Sequence, residues 1–339
     1  MAFATAVEDE LRAVVTRGIA DADPDTYAQI VTIGAALELL HAAILVHDDI
    51  IDSAPLRRGL PSVRAALADR HRARQWAGAA TEFGDHAALL LGDLLWASAQ
   101  DAMADGIAAL PAARRAEVTA QFRAMRLEVM AGQLLELDAQ AAQLLTDTAA
   151  HKIVTYKTSK YTVERPVALG LTVADAAPGA RLALGRFAAA TGRAFQLRDD
   201  LSDLYGPAGT TGKIAGGDIR AGKPTELLGT ALRLATEAER RSLRDVIGDP
   251  DADRSAIEGV MKIFLDTGAV DTIGDRVVEF AAAARRALRE PGANLSTTVI
   301  DAFDDLLDEC TDLSFLRSAA QCRLSRRANS PAGQSNPRW

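Results

Sequence analysis

The sequence predicts an all-α fold in one large domain, and three observations carry that expectation. Apolar residues recur at spacings of three and four along most of the chain, the period of a helix face, and alternating strand-type stretches are scarce. Alanine, leucine and arginine, all strong helix formers, dominate. No flexible linker divides residues 1–322, and no repeat of solenoid length is present.

A first helix is expected over 4–18. Its early Glu8, Asp9 and Glu10 are unlike the basic start of a signal peptide. The second, over 26–52, contains IVTIGAALELLHAAILV, which approaches the length of a membrane span. Glu38 and His41 interrupt it and an acidic cluster follows at once, so it reads as a buried core helix and no transmembrane segment is expected. Helices over 60–73, 82–106 and 112–142 follow breaks at Pro55, Gly59, Pro61 and Pro111, the last suited to opening its helix. Helices over 146–170 and 179–205 flank Pro178, and the glycine-rich 206–217 ends the second. Helices over 223–245, 252–266, 270–288 and 294–309 complete the bundle, with breaks at Pro250 and Pro291. Residues 323–339 are polar, with prolines, and are expected to be a disordered tail.

Composition narrows the function. With 339 residues, 48% of them apolar, the chain can bury a large core. A formal net charge of −8 disfavours nucleic acid or an anionic membrane as partner. Two cysteines, Cys310 and Cys322, make neither a disulfide framework nor a zinc site, and point to a reducing, cytoplasmic compartment.

Within HAAILVHDDIIDSAPLRRG, an apolar helix runs straight into three aspartates. Asp48 and Asp52 are four residues apart and share a face, with Asp49 beside them. Carboxylates so spaced suit a hard cation such as Mg²⁺, whose shell is commonly completed by substrate phosphates. Arg57 and Arg58 follow, with guanidinium groups shaped for phosphate oxygens. FQLRDDLSDLYG repeats the acidic spacing with Asp199, Asp200 and Asp203, 151 residues later. The two clusters can face each other across a bundle and hold several ions around one diphosphate. In TGKIAGGDIRAGKPTELL, Lys213 is the stronger phosphate ligand by context and Lys223 the weaker. In HKIVTYKTSKYTVERP, Lys157 and Thr158 can face the same cleft, although spacings of three and four among Lys157, Lys160 and Glu164 also fit surface pairing.

Together with FG…LLLGDL and EVMAGQ, these motifs resemble the trans-isoprenyl diphosphate synthases, the polyprenyl synthetase family, and most of all actinobacterial geranylgeranyl-type members. The resemblance runs from about residue 30 to about residue 310. It implies a single antiparallel helical bundle around a deep cavity, in a homodimer. The implied reaction couples an allylic diphosphate (dimethylallyl, geranyl or farnesyl) to isopentenyl diphosphate, with Mg²⁺ at three ions per site and Mn²⁺ as a substitute. It further implies metal ligation by Asp48, Asp49 and Asp52 on one wall and Asp199, Asp200 and Asp203 on the other. Arg57, Lys157 and Lys213 then hold the allylic diphosphate, Arg58 and His41 the isopentenyl diphosphate, and Thr158 and Gln196 the developing cation. Short-product members carry bulky aromatics just before the first cluster; here Ala43 and Ile44 stand there, with Leu40 deeper, which implies a product near C20.

Two departures qualify the resemblance. Family members usually carry a GGKRLRP-like segment before the first cluster, whereas the 47 residues before Asp48 contain Arg12, Arg17 and no lysine. Either the deduced chain is shortened or its second-substrate site differs. Gly217 and Pro224 replace the residues usual around Asp218, which is retained. A terpene cyclase or atypical prenyltransferase, which needs no isopentenyl site, and a non-catalytic partner subunit are the alternatives.

Overall fold

The computed structural model describes residues 24–206 and 216–316. The expected helix over 4–18, Lys213, Cys322 and the tail over 323–339 lie outside the described residues. The described chain is almost wholly helical, as its periodicity predicts. Helix α1 (Pro24–Ile51) leads into a minimal antiparallel ribbon, β1 (Leu56–Arg57) and β2 (Leu60–Pro61). Helices α2 (Val63–Ala73), α3 (Ala80–Gly106) and α4 (Ala112–Ala141) follow. Next come α5 (Asp147–Ile153), a π-helix (Val154–Glu164) and α6 (Arg165–Val173), then α7 (Pro178–Tyr205). The C-terminal part is α8 (Gly217–Ala221), α9 (Glu226–Leu234), α10 (Glu237–Val246), α11 (Arg254–Asp266), α12 (Ala269–Leu288) and α13 (Thr297–Thr311).

Four details differ from the sequence-based expectation, each for a local reason. The helix expected over 60–73 starts at Val63, because Ser62 caps it and the preceding residues form the ribbon. The ribbon closes through Arg58 and Gly59, both in the left-handed region (φ 56° and 77°), the twist a two-residue hairpin favours. The helix expected over 146–170 changes register midway: the Arg165 N–H bonds the Lys160 carbonyl, five residues back. The helix expected over 223–245 breaks at the extended Ala235, and Thr236 restarts it through a capping box with Glu239.

Apolar burial fixes the packing. Helix α1 lies on α3 and buries Ile33, Ala36, Leu40, Ala43 and Val46 along one stripe. It is the one helix among the described residues long and apolar enough to cross a bilayer. Leu40, Met103, Val118, Phe122 and Leu169 join α1, α3, α4 and α6 in one core. Phe187, Leu288 and Phe303 centre a second among α7, α12 and α13. Leu201, Leu243, Phe264 and Ile273 belong to a third, formed by the C-terminal helices. The π-helix packs against both α4 and α7. Two glycines permit this: a Cβ on Gly132 would strike the Lys157 backbone nitrogen, and one on Gly192 the Ser159 hydroxyl.

Candidate active site

Both acidic clusters sit at helix C-termini. Asp48 and Asp49 lie in the last turn of α1, which has no basic residue, and Asp203 in the last turn of α7, which has none either. A helix C-terminus carries partial negative charge, so carboxylates there are disfavoured unless other groups compensate.

At the first cluster the compensation comes from distant parts of the chain. The ribbon returns Arg57 over the end of α1. Its Nε donates to Asp49 Oδ1 at 2.8 Å and its Nη2 to Asp48 Oδ2 at 2.9 Å. Ser62 Oγ donates to the Ala54 carbonyl at 2.6 Å and anchors the ribbon. From the π-helix, Lys157 Nζ lies 3.2 Å from Asp48 Oδ1 and also bonds Glu136 of α4. From the loop before α9, Lys223 Nζ donates to Asp52 Oδ2 at 2.6 Å and lies 3.7 Å from Asp218 Oδ1. Burial alone would raise the Asp48 carboxyl, but Lys157, Lys223 and Arg57 overcome it and hold the group well below the usual carboxylate range. Burial would lower Lys223, yet Asp218, Glu136, Asp52 and Asp48 raise it well above an ordinary lysine.

The second cluster is different. Asp200 is buried at 7% exposure, and Gln196 Nε2 donates to its Oδ1 at 2.6 Å. Its Oδ2 is buried without a hydrogen-bond partner. Burial pushes this carboxyl well above the usual range; the Gln196 hydrogen bond opposes that, and Asp218, Asp199 and Glu226 add to it. Asp199 and Asp203 are half-buried beside it. Lys223 therefore links the clusters, touching Asp52 on one side and Asp218 on the other.

The carboxylates do not close into a cage: no three His, Cys, Asp or Glu side chains converge as a metal site among the described residues. Within the first cluster Asp49 pairs with Arg57, Asp48 with Arg57 and Lys157, and Asp52 with Lys223. The donor set still fits Mg²⁺, which binds through one or two carboxylates plus phosphate oxygens and waters. The Asp200 oxygen, buried among negative neighbours, is the clearest place for a cation.

The remaining predicted residues fall as follows. His41, two turns before Asp48, has Nδ1 2.9 Å from the Tyr161 hydroxyl, and burial first, then Arg58 and Arg57, lowers its pKa to about 4. Arg58 is exposed at the ribbon turn, away from the Asp48–Arg57 contacts. Thr158 is half-buried on the π-helix next to Lys157. Gln196 has its amide nitrogen on Asp200, which leaves its oxygen uncommitted to that carboxylate. Leu40 and Ala43 are completely enclosed, whereas Ile44 keeps accessible surface. A residue lining an open channel retains such surface, so of the three Ile44 is placed to do so.

Comparison with known proteins agrees with this architecture. The model of the polyprenyl synthetase family matches residues 5–264. The chain belongs to that family. It is 31% identical over 256 residues to an all-trans-nonaprenyl-diphosphate synthase of Rhodobacter capsulatus, covering 76% of this chain and 70% of that one. It is 31% identical over 258 residues to the farnesyl diphosphate synthase of Escherichia coli, covering 72% and 76%. A crystal structure of geranylgeranyl pyrophosphate synthase from Corynebacterium glutamicum, complexed with isoprenyl diphosphate and magnesium, superposes with a TM-score of 0.80 at 28% identity, covering 92% of this chain and 98% of that one. This polyprenyl synthetase is accordingly a prenyltransferase.

Two residues at the site escape a reading of motifs. Glu136 is buried at 6% exposure and bonded to Lys157 and Gln133. Its signal is its place in the apolar run MAGQLLEL, three residues after Gln133. Tyr161 is half-buried against the first core, and its signal is the spacing of four from Lys157. Lys223, ranked second to Lys213 by sequence, joins Lys157 in the cleft, and the proline after it gave no hint of that.

Proposed function

We propose that this prenyltransferase condenses an allylic diphosphate with isopentenyl diphosphate and releases a trans-prenyl diphosphate of C20. The observation that carries this reading is Lys223, buried between Asp52 of the first cluster and Asp218 beside the second. One diphosphate at that position meets both walls. Asp48, Asp49 and Asp52, with Asp199, Asp200 and Asp203, hold the metal ions, three per site. Bound Mg²⁺, or Mn²⁺ in its stead, supplies neutralisation of the leaving diphosphate. Arg57, Lys157, Lys213 and Lys223 grip its phosphate oxygens, each able to exchange a carboxylate for a phosphate partner.

The allylic C–O bond breaks and its electron pair leaves with the diphosphate. Oxygens of Thr158 and Gln196 face the resulting allylic cation. The isopentenyl diphosphate, held by Arg58 and His41, attacks through its C4 alkene carbon, and a C2 proton passes to the departed diphosphate. Surrounding apolar side chains exclude water, which would otherwise capture the cation as an alcohol. Ile44, smaller than an aromatic ring, leaves room for a tail beyond fifteen carbons.

We also infer a homodimer. Leu89, Leu90, Leu91 and Leu94 of α3 and Leu127 and Leu134 of α4 are exposed large apolar residues, the mark of an interaction surface. A cytoplasmic location accords with the reducing compartment that cysteine usage suggests.

Product analysis tests the reading. Protein incubated with Mg²⁺, isopentenyl diphosphate and each allylic starter should give geranylgeraniol after dephosphorylation. Turnover of a long allylic diphosphate alone, with no elongation, would establish a cyclase instead.

A further inference from the structure

We propose that Tyr161 is a positioning residue that fixes the tautomer of His41 and so presents its Nε2–H as a hydrogen-bond donor to isopentenyl diphosphate. This rests on the proposed role of His41 in holding that substrate.

The Tyr161 hydroxyl lies 2.9 Å from His41 Nδ1, and the two rings are nearly parallel, at 24°. At that distance either group can be the donor, so the neighbours decide. Tyr161 is partly buried against the first core, and the acceptor at hydrogen-bond distance from its hydroxyl is His41 Nδ1. The phenol proton therefore goes to the His41 ring. A neutral imidazole that accepts at Nδ1 carries its hydrogen on Nε2. His41 is held neutral by burial and by Arg58 and Arg57. His41 Nε2 is itself buried with no protein partner. The order of donation is thus Tyr161 to His41, and it ends on a buried N–H.

Backbone geometry explains why these residues meet. His41 and Asp48 are seven residues apart on α1 and share its face, and Lys157 and Tyr161 are four apart on the π-helix. Lys157 meets Asp48 while Tyr161 meets His41, so one helix pair carries both contacts. A π-helix register at Val154–Glu164 aligns the pair; the close approach at Gly132 and Gly192 holds it. The structural role open to Tyr161, as a packing aromatic in the first core, is retained by phenylalanine. The hydroxyl alone carries the tautomer function.

The test is ¹⁵N NMR of the imidazole nitrogens in the full chain, with the His41 signals assigned by their loss in His41→Asn. In the wild type, His41 should appear as the neutral Nε2–H tautomer. In Tyr161→Phe it should become a mixture or invert. A wild-type His41 in the Nδ1–H form would overturn the proposal. Kinetics give the second arm. Tyr161→Phe should raise KM for isopentenyl diphosphate about fivefold, the worth of roughly one neutral hydrogen bond. KM for the allylic diphosphate should change less than about twofold, within the same uncertainty. An equal rise in both KM values would mean that Tyr161 only packs, and would also overturn it. If the wild type elongates nothing, the proposed function fails, and the NMR arm still reports the tautomer independently.

Discussion

The two acidic clusters have the same spacing and stand at the ends of similar apolar helices, yet their surroundings are opposite. Asp48, Asp49 and Asp52 each meet a cation of the chain: Lys157, Arg57 and Lys223. Asp200 meets Gln196 and otherwise faces the negative charges of Asp218, Asp199 and Glu226. The first wall is balanced within the protein. At the second, the buried Asp200 Oδ2 has no hydrogen-bond partner, a place that a bound divalent ion would take. Identical motifs therefore encode identical local geometry but not identical electrostatics, because the balancing groups come from elsewhere in the chain.

The largest effect expected is on turnover. Asp48→Ala and Asp199→Ala should each lower kcat at least about a hundredfold, corresponding to about 2.7 kcal/mol of barrier. Steady-state assays with both substrates check this; a loss under about tenfold for both would separate the clusters from the chemistry. Next, Lys223→Ala removes the group that joins the walls. It should raise KM for the allylic diphosphate about tenfold or more, the loss of a charge-assisted contact.

Stability sharpens the contrast further. Asp49→Asn removes the charge that accepts from Nε of half-buried Arg57 and should destabilise the fold by about 2 kcal/mol. Asp200→Asn replaces a buried carboxyl, whose charged form its surroundings disfavour, by a neutral isostere and should leave stability unchanged or raise it by up to about 1 kcal/mol. Thermal or urea denaturation in chelator compares the two; equal losses would erase the electrostatic difference between the walls.

The smallest effect is on product length. Ile44→Phe should shift products from C20 towards C15 with most turnover kept. Ala43→Phe, at a position with no accessible surface, should chiefly cost stability, about 1–3 kcal/mol, by overpacking. Chromatography of dephosphorylated products, beside melting curves, separates the two positions.

Much of this was legible in the sequence because it is local. Helices α3, α4, α7 and α11 to α13 announce themselves by apolar period and by proline or glycine breaks. The spacing of Asp48, Asp49 and Asp52 makes them neighbours in any helix. What was not legible depends on contacts between distant segments. Nothing near Lys223 indicates that it reaches Asp52, 171 residues earlier. Nothing in VTYKTSKYTVE announces a π-helix, whose register depends on being held between Gly132 and Gly192. Full enclosure of Ala43 and accessibility of Ile44 differ by one residue on one helix, and only the packing of α3 against α1 decides between them. The break at Ala235 was readable, since Thr236 and Glu239 have the spacing of a capping box.

That the two clusters serve a single diphosphate is tested most directly by calorimetric titration of a non-ionisable allylic thiolodiphosphate in Mg²⁺, using Asp48→Asn, Asp199→Asn and the double variant. With one shared site, each single variant removes most of the Mg²⁺-dependent binding and the double is scarcely weaker, a coupling of about 1–3 kcal/mol. Losses that simply add, within about 0.5 kcal/mol, would mean two independent sites and would contradict a single diphosphate held between the walls.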